Sequence, residues 1–240
     1  MKNSSKKDEE TKDRLIQAAG EVFARDGFRS ATVREICSRA GTHVGAVNYH
    51  FRDKEGLYAA VLYYSHESMV KKYPPDSGLR DGATPAEKLR AFIHSFLLRI
   101  FDEGVPAWHG KLMARETVES TNAFGHMIQN SIQPLYRYLV RILIELLNED
   151  QPSEAEESNE IFLCAMSIVG QCLHHFTGRR VIAALHPKSF DPADIVRIAD
   201  HITRFSLLGI QEFRSKKLHP IKGTRGRNRE KVQRKKSKMA

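Results

Sequence analysis

The sequence predicts an all-α fold, in which a small N-terminal three-helix unit precedes a larger helical body. Three observations carry that expectation. Apolar residues recur at helical spacing in nearly every segment. No stretch alternates with the period of two that a half-buried strand needs. The prolines, glycines and aspartates of KYPPDSGLRDGATP, Lys72 to Pro85, make one clear break between the two units.

Residues 1–10 are highly charged and are expected to be disordered. A first helix spans about Thr11 to Asp26. Its Leu15, Ile16, Ala19, Val22 and Phe23 share a face, and Gly27 is placed to end it. Thr32 can cap a short second helix, with Glu35 completing a capping-box pattern; Ile36 and Ala40 face inward, and Gly41 stops it. A third short helix covers His43 to His50. Asp53 then reads as the N-cap of a long fourth helix with Leu57, Ala60, Val61 and Tyr64 at helical spacing. Past the break, helices are expected near 85–102, 106–119, 124–149, 154–178 and 192–215, with shorter pieces between 179 and 190.

The formal charge of +9 is unevenly placed. From Lys216 onward eleven basic residues face Glu230 alone, so the segment 216–240 carries +10 and the rest of the chain sums to about −1. This tail lacks hydrophobic periodicity and is expected to be disordered. It reads either as a nonspecific DNA-binding arm that releases counterions or as a solubilising tail. Cys37, Cys164 and Cys172 form no CxxC pair, and free thiols fit a reducing compartment. With a polar start and no apolar run of about 18 residues, the chain is expected to be cytoplasmic and nucleoid-associated. No Gly-rich phosphate loop, G-x-S-x-G elbow or HExxH pair is present, so neither an enzyme nor a cofactor is expected. His109, His126, His174 and His175 offer no i, i+4 ligand pair, which argues against a metal.

The informative stretch runs from Thr32 to Tyr58. A helix, a tight glycine-containing turn and a second short helix make the geometry that lets one helix enter the major groove. Ile36, Ala40, Val47 and Phe51 can close a small core against the first helix. The opposite face of the third helix then presents Thr42, His43, Val44, Asn48, Tyr49 and His50, while Gly45 and Ala46 are small enough to let the backbone approach the groove wall. Asn48 can pair with adenine in bidentate fashion, and His43 or His50 can donate to a base or a phosphate. Lys54 also fits a plainer role as a solvated helix lysine, and Phe51 reads as core.

Over residues 11–62, in the order helix, GFRSATVREI, AG, short recognition helix, YHFRDKEGLY, the chain resembles the TetR family of bacterial repressors. The resemblance implies phosphate contacts from Thr32, Tyr49, His50 and Lys54, and positions at or near the bases for Arg34, Thr42, Val44, Ala46 and Asn48. The segments WHGKLMARETVE, Trp108 to Glu119, and IVGQCLHHF, Ile168 to Phe176, are similar to the ligand-binding half of the subgroup related to the repressor CecR. That similarity implies an unidentified small-molecule effector inside the body, whose binding shifts two DNA-reading heads out of register.

Pocket candidates are Phe92 and Phe96, from the stripe Leu89, Phe92, Ile93, Phe96, Ile100, together with Trp108, Met113 and Arg115, and the polar Gln171, His174 and His175. Each also fits a plainer role as core, surface ion or interface histidine. A recognition helix of about eight residues spans only about 12 Å, whereas two copies about 34 Å apart would read a palindrome. In this family the last two long helices pair between subunits. Here they carry Ile161, Ala165, Ile168, Val169 and Cys172, and Ile195, Ile198, Ile202, Phe205, Leu208 and Ile210. The division expected is a helix-turn-helix DNA-binding domain over 11–60, an effector-binding and dimerisation domain over 61–215, and the basic tail. A ligand-responsive dimeric repressor of double-stranded DNA leads; an activator with the same head, or a general nucleic-acid binder driven by the tail, are the rivals.

Overall fold

A computed structural model describes residues 2–102, 108–147, 159–185 and 194–218, with side chains from residue 6 and up to residue 213. All the regular structure among these residues is helical. Helix α1 (Lys2–Ser30) begins well before the expected Thr11, so the charged start that was expected to be disordered is helical from Lys2. It kinks at Gly27, whose φ of 82° lies in the left-handed region that glycine tolerates. Helices α2 (Val33–Arg39), α3 (Val44–Phe51) and α4 (Lys54–Lys72) follow in the expected order.

The capping of α2 is half of what the sequence suggests. The Thr32 hydroxyl accepts from the Glu35 N–H at 3.2 Å. The Glu35 carboxylate, however, turns to Arg25 at 2.6 Å and Arg39 at 3.3 Å, since two guanidiniums outbid one backbone N–H. A full capping box forms instead at α5 (Pro85–Phe101), where Thr84 and Glu87 exchange bonds.

After α5 come α6 (His109–Glu116), α7 (Asn122–Met127), a π-helical turn (Ile128–Ile132), α8 (Gln133–Leu147), α9 (Asn159–Thr177), α10 (Arg179–Leu185) and α11 (Ile195–Leu218). Helix α6 ends at Glu116, short of the expected 119, and the helix expected at 124–149 is interrupted by the π turn. The basic tail lies outside the described residues except for its first three, which continue α11. No single helix among the described residues is long and apolar enough to cross a membrane.

Burial separates two hydrophobic cores. The first is built on α1–α4 and also takes Trp108, Leu112, Ala123 and Met127 from α6 and α7 and the residue that precedes α6. The second holds α5, α8, α9 and α11 around Leu89, Ile93, Leu97, Leu139 and Ile168. Helix α4 joins them: its buried face runs from Leu57 and Tyr58 at the head to Ser65, His66 and Met69 in the body.

The faces expected to pair subunits are largely consumed inside the chain. Ile161, Ala165, Ile168, Cys172, Ile198, Ile202 and Ile210 are buried in the second core, and Val169 and Ile195 pack against it. Helix α9 is apolar on two sides, and one stripe could not reveal which faces inward. Phe162, Leu163 and Met166 on α9, and Phe205 and Leu208 on α11, remain exposed.

Candidate nucleic-acid interface

Three contacts fix α2 and α3 on the head. Ile36, Val47 and Phe51 are buried against α1 and α4, as their spacing predicts. Gly41 makes the turn with φ 62°, so the chain reverses without the strain a side chain would meet there. On the solvent side Arg25 bridges Asp26 at 2.5 Å and Glu35 at 2.6 Å, and Arg39 reaches Glu21 at 3.5 Å. The Arg25 guanidinium holds the Asp26 and Glu35 carboxyls below the usual carboxylate range. These exposed pairs orient α2 on α1 and contribute little stability each.

The corner between α3 and α4 is more tightly specified. Arg52 adopts φ 74°, the single left-handed non-glycine position among the described residues, and Asp53 caps α4 by accepting from the Gly56 N–H at 2.7 Å. A Cβ at Gly56 would lie 2.0 Å from the Phe51 carbonyl oxygen, so only glycine lets α3 end so close to α4.

This scaffold leaves Thr32, Arg34, His43, Val44, Gly45, Asn48 and Tyr49 exposed on one side of the head, with Thr42 and His50 half-buried beside them. Tyr49 is 75% exposed and stands edge-on to His50, ring centroids 4.8 Å apart. Unlike Arg25 and Arg39, Arg34 makes no ion pair among the described residues.

Two of the expected contact residues are placed otherwise. Ala46 is buried in the head core, because position 46 shares the inward face with Val47; its methyl group faces away from the exposed side. Lys54 is half-buried, its ammonium donating to the carbonyls of Ala31 at 3.0 Å and Arg29 at 3.3 Å and lying 4.7 Å from the Phe28 ring centroid. It ties α4 to the α1–α2 link, a role that periodicity could not show.

The expected effector residues are not brought together. Trp108 is buried in the head core, where a Cβ on Gly20 would come within 2.2 Å of its indole. Met113 packs against the same core, and the Arg115 guanidinium donates to the Arg25 carbonyl at 2.9 Å. Phe92 is buried in the second core, with Phe96 packed at its edge. Gln171 donates to the Ser167 carbonyl, His174 is exposed and His175 is half-buried. Of these residues only His175 lines the open cleft between α5, α9 and α11, beside Arg90, Asp200, His201 and Arg204. Phe92 and Phe96 of α5 therefore belong to the second core, and Trp108 and Met113 to the first. No group of three or more metal-binding side chains occurs among the described residues.

Sequence reasoning missed a buried polar seam where the body meets α4. The Tyr58 hydroxyl donates to the Glu116 carboxylate, which also accepts from the Thr121 N–H at 2.9 Å. Burial first, and then this carboxylate, push the Tyr58 hydroxyl's pKa upward. Further along α4, His66 Nε2 lies 3.3 Å from the Ser131 carbonyl, and His109 Nδ1 lies 3.1 Å from Ser65 Oγ. Burial holds both rings neutral, lowering His66 to about 4 and His109 to about 3.

The family description "Bacterial regulatory proteins, tetR family" matches residues 15–61, and "HTH-type transcriptional dual regulator CecR, C-terminal domain" matches residues 85–210. The chain is 26% identical over 190 residues to the HTH-type transcriptional dual regulator CecR of Shigella flexneri, covering 73% of this chain and 80% of that protein. A transcriptional regulator from Pseudomonas aeruginosa PAO1 is similar in structure, with a TM-score of 0.60 and 25% identity, across 84% of this chain and 93% of that one. FadR of Bacillus subtilis, solved in complex with stearoyl-CoA, shares the fold: TM-score 0.58, 20% identity, 82% and 97% covered.

Proposed function

The chain belongs to the TetR family of bacterial regulatory proteins, with a C-terminal domain of the CecR type, and we propose that it works as a homodimeric, effector-controlled repressor of a palindromic operator. Its coarse activity, DNA-binding regulation of transcription, is that of the family. The observation that carries the finer reading is the exposed side of the head. Asn48, Val44 and Tyr49 project from a helix whose other face is fully committed to the core, and the exposed Arg34 has no acidic partner among the described residues.

In this reading Asn48 reads a base edge, Val44 packs on a thymine methyl group, and Arg34 and Thr42 lie at the groove. Thr32, Tyr49 and His50 hold phosphates, with His43 at the start of the helix. Lys54 has three N–H donors and spends two on carbonyls, leaving one for a phosphate. Selection of bound sequences from random duplex DNA should return half-sites about one helical turn apart. Tyr49→Ala should weaken binding to all sequences alike. Asn48→Ala should relax the preference at particular positions, by about 1–3 kcal/mol of discrimination. An identical loss profile for both variants would remove the division of labour argued here.

The dimer surface is assigned to the exposed apolar residues of α9 and α11, among them Phe162, Leu163, Phe205 and Leu208. Cβ atoms added at Gly170 on α9 and Gly209 on α11 would have no described atom within 4 Å, so a neighbouring helix can approach closely there. Phe205→Glu combined with Leu208→Glu should sediment as a monomer, keep its helical circular dichroism and lose operator binding at least tenfold. A dimer of unchanged stability would move the interface elsewhere.

Effector control passes through α4, which packs against α1 and α3 of the head and against α5, α6 and α7 of the body. A ligand that shifts those body helices changes how the heads are held.

A further inference from the structure

The geometry points to Arg99 as the receiver for the anionic head of an apolar small molecule, bound where α4, α5, α6 and α9 meet. The inference rests on the reading that the body takes an effector, and it names the charge and character of that effector.

Arg99 is 3% exposed on α5. One of its terminal nitrogens, Nη1, donates to the Tyr73 carbonyl at 2.8 Å, and its Cζ lies 5.6 Å from the Phe96 ring centroid. The other, Nη2, is buried without a hydrogen-bond partner, and no carboxylate pairs with the group among the described residues. Ser131 Oγ, in the π turn, is a second buried polar atom of the seam that lacks a partner.

Among the described residues the one carboxylate close to this seam, Asp102, pairs with Lys72 at 2.5 Å rather than with Arg99. His66 and His109, whose rings sit 6.0 Å apart, both feel the positive charge of Arg99 and are neutral. Burial pushes the Cys172 thiol up to about 12 even though Arg99 favours its thiolate, so it stays protonated at neutral pH. Burial also lowers the Arg99 guanidinium itself to about 10, which leaves it a cation under physiological conditions.

A buried, unpaired guanidinium is costly, and its planar fork matches an oxyanion in two parallel bonds. The surroundings specify the rest of the ligand. Phe96 and Cys172, both beside the guanidinium, belong to or pack on the second core and give Arg99 apolar surroundings, suited to a hydrocarbon body behind a carboxylate or phosphate head. The position also explains how occupancy would be read. Tyr73, whose carbonyl Arg99 holds, is the residue that ends α4, the helix that carries the head. Drawing the guanidinium onto a ligand loosens that end.

The test uses the full-length protein and three probes of equal chain length: decanoate, decyl phosphate and the neutral decanol. Each is followed by thermal unfolding and by its effect on operator binding. Decanoate or decyl phosphate at about one hundred times its Kd should raise Tm by roughly 5–10 °C and weaken operator binding. Decanol should do neither, and whichever anion acts at lower concentration identifies the head group. Arg99→Met should fold with a Tm no lower than that of the parent chain and lose the response. Arg99→Lys, which keeps the charge without the fork, should bind the anion at least tenfold more weakly, so the proposal stays testable if the methionine variant fails to fold. Decanol acting as strongly as the anions, or an undiminished anion response in either variant, overturns the assignment of Arg99 while leaving a ligand-binding body intact. No response of the parent chain to any of the three also overturns it. The effector reading itself falls only if a broad ligand screen against the operator complex finds no compound that changes binding.

Discussion

At pH 5 the folded protein should be about 4 kcal/mol less stable than at pH 7.5, roughly 2 kcal/mol from each of two buried histidines. His66 and His109 are almost fully buried, and their folded-state values of about 4 and about 3 lie below the ordinary 6.5. Between those limits the unfolded chain binds more protons than the folded one. Stability is therefore complete above pH 6.5 and drains away as the pH falls toward the folded values. Arg99 disfavours protonation of both rings, Asp102 favours it weakly at His109, and the Ser131 carbonyl favours it at His66. The carboxyls of Asp26, Glu35 and Glu87 are lowered instead, so their contribution is lost only at more acid pH and does not blur this window. Urea unfolding at the two pH values measures the difference, and a double His66→Gln, His109→Gln variant should remove most of it, leaving the part due to His94 and His175, which burial also lowers. Equal midpoints for the parent chain would show that the histidines are not held neutral.

Trp108→Ala should cost about 3–5 kcal/mol, the range for removing a large buried aromatic side chain. The indole lies against the α1 backbone at Gly20, with Tyr64 at 6.5 Å between ring centroids. The close approach makes a sharper test than the single loss. Gly20→Ala drives a methyl group into the indole and should cost about 1–3 kcal/mol alone. In the Trp108→Ala background the same methyl group enters a vacated space, so the second substitution should cost much less than in the parent chain. Additive losses in chemical denaturation would place the tryptophan off the glycine.

The head was legible from sequence because its rules are local. The turn at Gly41, the cap at Asp53 and the inward spacing of Ile36, Val47 and Phe51 each depend on residues within a few positions. The stripe of α5 was equally legible, since a single apolar face has one place to go. Helix α9 was not, because with two apolar faces its pattern cannot name the buried one. Trp108 and Arg115 looked like ligand-pocket residues and are contacts to α1, more than eighty positions away in the chain. Arg99 carried no signal: an arginine inside a helix is ordinarily solvated, and its burial is decided by the packing of distant helices.

The first core has a consequence for modularity. Family resemblance divides the chain between residues 61 and 85, as though head and body were exchangeable cassettes. The head core nevertheless includes Trp108, Leu112, Ala123 and Met127, all from beyond that division. A fragment ending near residue 60 would be born with an open apolar wound on α1 and α4. A chimera that grafts this head onto another relative's body would have to match a bare backbone at Gly20 with an aromatic plate of the right size. The boundary between the two family matches and the boundary between the two cores run, in this protein, along different lines.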